Sequence, residues 1–311
     1  MEKQNEIMGY LKNLMKKIIE SLPIIGPLYK ENKIYKTYYP PGHFANPFPS
    51  LDEVQKYSDY LFDNNKDNIP GINLNIENQI SLLNKFSTKY NEIPYHSNEN
   101  NELRYSYNNP MFCESDGIFL WLMINHFKPR SIIEVGSGYS SALMLDMNDI
   151  LMEGKIDLTF IDPYTEKLNK NLRIGDNSKA TIIEKPIQDI DIKEFKILKE
   201  DDILFLDTSH ISKTGCDLNY DLFEILPSLN KGVIVHIHDI FYPFEYPKEW
   251  VLQQKAYNEV YLIRSFLMYN DSFEIIIFPN YLISKKEKWF KENMPICLRN
   301  TGGSIWLRKI K

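Results

Sequence analysis

The most regular feature of the chain is a series of short, near-continuous apolar runs after residue 130. They read SIIEV (131–135), LTFID (158–162), ATIIE (180–184), DILFLD (202–207) and GVIVHIHD (232–239). Runs of this length without alternation predict strands buried on both faces, and the amphipathic stretches between them predict crossover helices and a parallel sheet. DGIFLWLMINHF reads as a helix leading into the first strand, and EWVLQQKAYNEVYLIRSFLMYN as one long helix after the fifth. FEIIIF (273–278) and SIWLRK (304–309) follow, with no helical pattern between them strong enough to force a crossover, so they are expected to pair antiparallel.

The first part of the chain is patterned differently. Met8, Leu11, Met15, Ile18, Ile19 and Leu22 recur at helical spacing, which predicts an amphipathic helix packed on the protein or on a second copy. Binding to a membrane surface is the alternative. From Pro23 to Asn109 the sequence is irregular and rich in Pro, Asn and Tyr, with short helices expected at 51–63 and 76–90. Loops of such length usually cover or link something. The expected organisation is a helical and irregular extension over 1–104, serving as lid or oligomerisation segment, and an α/β domain over 105–311.

Composition narrows the classes. A charge of -6 over 311 residues argues against a dominant electrostatic grip on nucleic acid or anionic membrane. Cys113, Cys216 and Cys297 are odd in number and lack a CxxC pair, so neither a disulfide framework nor a thiolate zinc site is expected. A reducing, cytoplasmic setting fits. No apolar run approaches the roughly 20 residues of a membrane helix, and the first residues show no signal-peptide core.

The loop IIEVGSGYSS carries the first chemistry. Gly136 and Gly138 release the backbone at the carboxyl end of the first strand, the edge at which open α/β sheets bind ligands. A dinucleotide fingerprint needs a third glycine at position 141, where the chain has Ser141. Glu134 would repel a diphosphate but suits a ligand bearing an ammonium group. Tyr139 and Ser140 complete the loop. Asp162 ends the second strand, where a carboxylate accepts both ribose hydroxyl protons, and Gln188 or Asp189 in PIQDI is placed to accept from an adenine amino group. Each acid alone is equally explained as a helix cap or a turn. Suitable groups on all three strand ends, in order, are harder to assign to chance.

Together, IIEVGSGYSS, LTFIDPY, DILFLDTSH, GVIVHIHDIFYPFEYP and the closing GGSIWLRK resemble the class I S-adenosylmethionine-dependent methyltransferases, over roughly residues 105–311. More narrowly, they are similar to a bacterial-type family of methyltransferase-domain proteins. The resemblance implies a Rossmann-like sheet of five parallel βα units closed by an antiparallel strand pair, and S-adenosylmethionine as cofactor. It does not imply the acceptor. The cofactor residues it points to are Glu134, Gly136, Gly138, Tyr139, Ser140, Asp162, Gln188, Asp189 and Asp207.

Methyl transfer needs a nucleophile aligned with the sulfonium methyl and relieved of its proton. Asp207 and Asp239 end strands that neighbour each other in the expected fold, about 4.8 Å apart. With His210 and His238 they form the candidate catalytic group. Asp207, Asp239 and His238 also suit a hard divalent cation such as magnesium, as some related O-methyltransferases of catechols and sugars hold; His238 departs from their second acid. His236 is expected to be a buried, hydrogen-bonded core histidine. Phe241, Tyr242, Phe244, Tyr246 and Trp250 could wall an acceptor pocket or serve as core. Tyr105, Tyr107 and Phe112 could close the cofactor pocket, and Lys213 or Arg264 orient an anionic acceptor. O-methylation of a small molecule or glycan is the leading reading, with a homodimer as the expected assembly and no nucleic-acid partner or stable membrane insertion. The alternatives are N-methylation, a nicotinamide-dependent oxidoreductase and a non-catalytic binding protein of the same fold.

Overall fold

A computed structural model describes residues 2–23, 25–27, 38–96 and 102–311. They divide into two compact units, Met1–Ser58 with Leu252–Ala256, and Asp59–Val251 with Tyr257–Lys311. The first unit holds helix α1 (Glu2–Ser21) and a short helix Leu51–Lys56, whose Ser50 side chain caps its first turn. On α1, Met8, Leu11, Met15, Ile18 and Leu22 are exposed.

The second unit is built on seven strands, β1 (Ser131–Val135), β2 (Asp157–Ile161), β3 (Ala180–Ile183), β4 (Ile203–Leu206), β5 (Ile234–His238), β6 (Phe273–Ile277) and β7 (Ser304–Lys309). Their order is β3-β2-β1-β4-β5-β7-β6. The first five run parallel, and β7 inserts antiparallel between β5 and β6. This is the Rossmann-like plan expected from the pattern. β1, β4 and β5 are buried almost throughout because helices cover the sheet, which is why their sequences do not alternate.

Helix α2 (Ile76–Ser87) packs beside β6, and α3 (Glu114–Phe127) runs into β1. Ile118–Ile124 of α3 are essentially inaccessible, as an all-apolar stretch requires. Helix α4 (Tyr139–Ile150) follows the glycine loop and α5 (Glu259–Leu267) lies between β5 and β6. Arg104 ties the entry to this core. Its guanidinium, 5% exposed, reaches Asp146 Oδ1 on α4 at 2.9 Å and Asp176 Oδ1 at 2.6 Å, while Asp146 also accepts from the backbone N–H groups of Arg104 and Tyr105. Arg104 holds the Asp176 carboxyl below its usual range although burial opposes this.

Some sequence expectations change. The long helix after β5 is two, Lys248–Leu252 and α5, because Gln254 is left-handed (φ 57°) and Asn258 is non-helical (φ -140°). The 51–63 helix is divided at Tyr57 into Leu51–Lys56 and Ser58–Leu61. Short helices Pro279–Lys285 and Glu287–Asn293 do lie between β6 and β7, yet the strands still pair antiparallel. His236 is buried, but neither ring nitrogen has a partner among the described residues. It stacks on Phe205 at 3.8 Å, and burial keeps the ring neutral by lowering its pKa well below the usual value.

Candidate active site

The carboxyl ends of β1, β2 and β4 open on a cavity of about 430 Å³ lined by Gly136, Asp162, Ile187, Gln188, Asp207 and Lys213, among others. Gly136 sits at φ 83°, and a Cβ there would collide with the Asp207 carbonyl oxygen. The bare backbone at this position therefore lets the β1 turn pass under the end of β4. A Cβ at Gly138 would meet nothing within 4 Å. Gly138 does not line the cavity.

The polar groups of the loop are placed unequally. Asp162 lines the cavity and shapes the turn, its Oδ2 accepting from Ser137 N at 2.8 Å and Ser137 Oγ at 3.0 Å, its Oδ1 from Tyr164 N at 2.7 Å. Gln188 reaches across to the Gly215 carbonyl at 2.9 Å. Asp189 is exposed and does not line the cavity. Glu134 lies fully buried behind the loop, accepting from Ser140 and Ser141, and burial pushes its carboxyl up to about 8. Ser141 also accepts from Gly138 N at 2.9 Å. The residue that replaces a third glycine thus bridges the loop to Glu134. Tyr139, half-buried, opens α4. Tyr105, Tyr107 and Phe112 do not line this cavity; the Tyr105 hydroxyl donates to Phe112 O at 2.7 Å, and the Phe112 ring lies 5.3 Å from His238.

Beside the cavity, the β4 and β5 ends meet. His210 Nε2 lies 3.4 Å from Asp207 Oδ1 and 3.3 Å from Asp239 Oδ2. Its Nδ1 lies 2.7 Å from Glu259 Oε2. His210 and Asp239 both hold left-handed backbone, φ 58° and 54°, a conformation that side-chain-bearing residues adopt at a cost of about 1–3 kcal/mol and that concentrates at functional sites. The His210 carbonyl accepts from Asn258 N at 3.0 Å and Glu259 N at 3.3 Å, so the otherwise unpaired N–H groups opening α5 hold the loop. Asn258 Oδ1 accepts from Ser212 N at 2.6 Å and completes the lock.

Burial alone would lower the His210 pKa, but Asp207 and Glu259 outweigh it and raise it well above the ordinary value. Asp207 falls below the usual carboxylate range because His238 and His210 overcome its burial. His238, buried with Nε2 3.7 Å from Asp239 Oδ1, is raised by Asp207, Asp239 and Asp116 against the effect of burial. Asp116, the fourth acid of the cluster, accepts from Gly303 N at 3.1 Å and is pushed up to about 6 by burial. Among the described residues no group of three or more His, Cys, Asp and Glu is arranged to hold a metal ion. His210 stands between the two carboxylates.

Glu259 and Asp116 were not singled out by the sequence. Glu259 was hidden inside the supposed long helix; the signal available was NE immediately ahead of an amphipathic run, the pattern of a helix start. Phe241, Tyr242 and Tyr246 line a second cavity, while Phe244 and Trp250 do not. Arg264 lies on α5 outside both cavities.

A seven-stranded Rossmann-like sheet with its polar groups gathered at the carboxyl edge defines a nucleoside-cofactor enzyme class. A family model described as methyltransferase domain matches residues 133–240. An uncharacterised protein of Archaeoglobus fulgidus is 32% identical over 166 residues, covering 52% of this chain and 74% of the relative. The chain thus carries an S-adenosylmethionine-dependent methyltransferase domain. Solved structures similar to it include the Podospora anserina methyltransferase PaMTH1 bound to S-adenosylhomocysteine (15% identity, 89% of this chain and 100% of that one, TM-score 0.42). Another is the O-methyltransferase TomG of Streptomyces achromogenes with S-adenosylmethionine (13% identity, 83% and 96%, TM-score 0.41).

Proposed function

We propose that the protein transfers a methyl group to a hydroxyl of a small-molecule or glycan acceptor at the rim formed by Asp207, His210, His238 and Asp239. The observation that carries this reading is the position of His210 Nε2 between Asp207 and Asp239, with Nδ1 on Glu259. When bound, S-adenosylmethionine supplies an electrophilic methyl on a sulfonium. The cavity fits such a group through the bare backbone of Gly136 and the Asp162 carboxylate on its wall. Asp162 is assigned to the ribose hydroxyls and Gln188 to the adenine. Glu134, buried and held by Ser140 and Ser141, supports the loop from behind and does not line the cavity, contrary to its expected place beside the ammonium.

His210, once its own proton has left to solvent, takes the acceptor O–H proton on Nε2. Glu259 fixes the ring, and Asp207 and Asp239 stabilise the imidazolium that forms. The acceptor oxygen gains the carbon as the S–C bond breaks, so charge and atoms balance. An amine acceptor would lose its proton to the same nitrogen, which makes N-methylation the neighbouring alternative. A divalent cation on Asp207, Asp239 and His238 is the second reading, although these side chains are not arranged for one among the described residues, and His210 would have to yield its proton or its place.

Screening metabolite extracts with labelled methyl donor identifies the acceptor, and a chelator then separates the readings. Transfer that survives chelation and falls about 10²–10⁴-fold in His210→Asn, with S-adenosylhomocysteine affinity kept, supports His210 as base. Loss on chelation that magnesium restores establishes the cation instead.

A further inference from the structure

The second cavity, about 310 Å³, runs along the loop after β5 and includes Phe62, Asn64, Phe241, Glu245, Tyr246 and Thr301 in its lining. Its inner wall is the back of the acceptor rim. Phe241 follows Asp239 by two residues, its ring packs against Gly303, and the Gly303 carbonyl accepts from Asp239 N at 2.6 Å. Tyr246 Oη accepts from Val260 N at 3.2 Å, one residue beyond Glu259.

The polar groups on this wall are arranged for a ligand rich in donors. Glu245 Oε1 already accepts from the Tyr261 hydroxyl at 2.5 Å and from Tyr246 N at 2.9 Å. Two carboxylates, Glu245 and Glu249, face a single ammonium, Lys248, in the lining. A phosphorylated or carboxylated acceptor is therefore disfavoured. A flat apolar acceptor would set apolar surface against the amide of Asn64, the carboxylate of Glu245 and the hydroxyl of Thr301. A sugar ring satisfies both halves, with its C–H face against aromatic rings and its hydroxyls toward carboxylate, amide and hydroxyl groups. The volume sits at the small end of ligand pockets, which begin at about 300 Å³, and suits one ring rather than a long chain.

We propose that this cavity is a saccharide subsite, which holds an uncharged or amine-bearing sugar ring so that one of its hydroxyls, or one on the adjoining unit, meets the Asp207–His210–Asp239 rim. This rests on the O-methylation reading for the reaction, but not for binding. Saturation-transfer NMR tests it on the full chain with S-adenosylhomocysteine present. The probes are methyl glycosides of neutral hexoses, 6-deoxyhexoses and N-acetylhexosamines, with catechol and glucose 6-phosphate as comparators.

At least one glycoside should bind, and Glu245→Gln, Phe62→Ala and the surface change Glu249→Gln should each weaken it, the first by tenfold or more, with S-adenosylhomocysteine affinity unchanged. Absence of any glycoside signal, binding of only the comparators, or glycoside binding indifferent to all three substitutions overturns the subsite. A glycoside that binds as expected yet is methylated at an undiminished rate by His210→Asn would sink the rim chemistry and leave the subsite standing.

Discussion

His210 Nδ1 and Glu259 Oε2 lie 2.7 Å apart, although 49 positions separate them along the chain. The first sits on the loop after β4 and the second opens α5, and the backbone N–H groups of that same helix start grip the His210 carbonyl. Ring and main chain are thus fixed by one element, which leaves Nε2 toward Asp207 and Asp239.

Glu259→Gln removes a carboxylate that favours the imidazolium, so the His210 pKa falls. The rising limb of the pH–rate profile should move toward acid while the plateau rate drops, by roughly tenfold or more for a misoriented base. A profile whose midpoint stays where it was would remove Glu259 from the mechanism. Stability should follow the same sign. Because the folded His210 pKa lies above 6.5, its contribution is complete below that pH and is lost as pH rises through the folded value, and Glu259→Gln should flatten this alkaline decline.

Gly136→Ala and Gly138→Ala should separate fold from ligand. At Gly136 the left-handed φ alone costs an alanine about 1–3 kcal/mol, and the collision with the Asp207 carbonyl adds to it. Denaturant midpoints should fall for Gly136→Ala and hold for Gly138→Ala, whose methyl enters open space. If Gly138 borders the cofactor, its alanine variant should nevertheless bind S-adenosylhomocysteine more weakly by calorimetry.

Arg104→Ala leaves Asp146 and Asp176 as buried carboxylates without their cation. Breaking a buried pair in this way costs about 3–5 kcal/mol. Urea unfolding should show that loss in the midpoint. A cost under about 1 kcal/mol would mean that the backbone donors to Asp146 suffice.

Glu134 titrates at about 8 in the fold against 4.5 when free, so the folded state binds the extra proton between these values. Stability must then decrease as pH rises from 4.5 to 8. Glu134→Gln keeps the proton-like partner for the two serines and should remove that slope, as thermal melts across the range would show. An unchanged slope assigns the effect to other groups.

The sheet was legible because strand burial is written locally. SIIEV, DILFLD and GVIVHIHD announce covered strands, and the acids that close the last two, Asp207 and Asp239, mark the carboxyl edge whatever the loops do. Gly136 was legible as a position where bare backbone is needed, although what it must clear is the Asp207 carbonyl. The burial of Glu134 was not, since only the fold of the loop brings Ser140 and Ser141 onto its oxygens. Glu259 was lost for a similar reason: its helical periodicity matched the segment before it, and the break at Gln254 and Asn258 leaves no strong mark in residue type.

By itself, the sequence determined the strands, the alternation of strand and helix, and the polar residues that end β1, β2, β4 and β5, because these follow from short-range burial patterns. Only the tertiary structure decided that His210 falls between Asp207 and Asp239 and leans on Glu259. That convergence depends on left-handed backbone at His210 and Asp239 and on a helix start packed against a distant loop, and the non-local hydrogen bonds between those segments stabilise a geometry that no local pattern encodes.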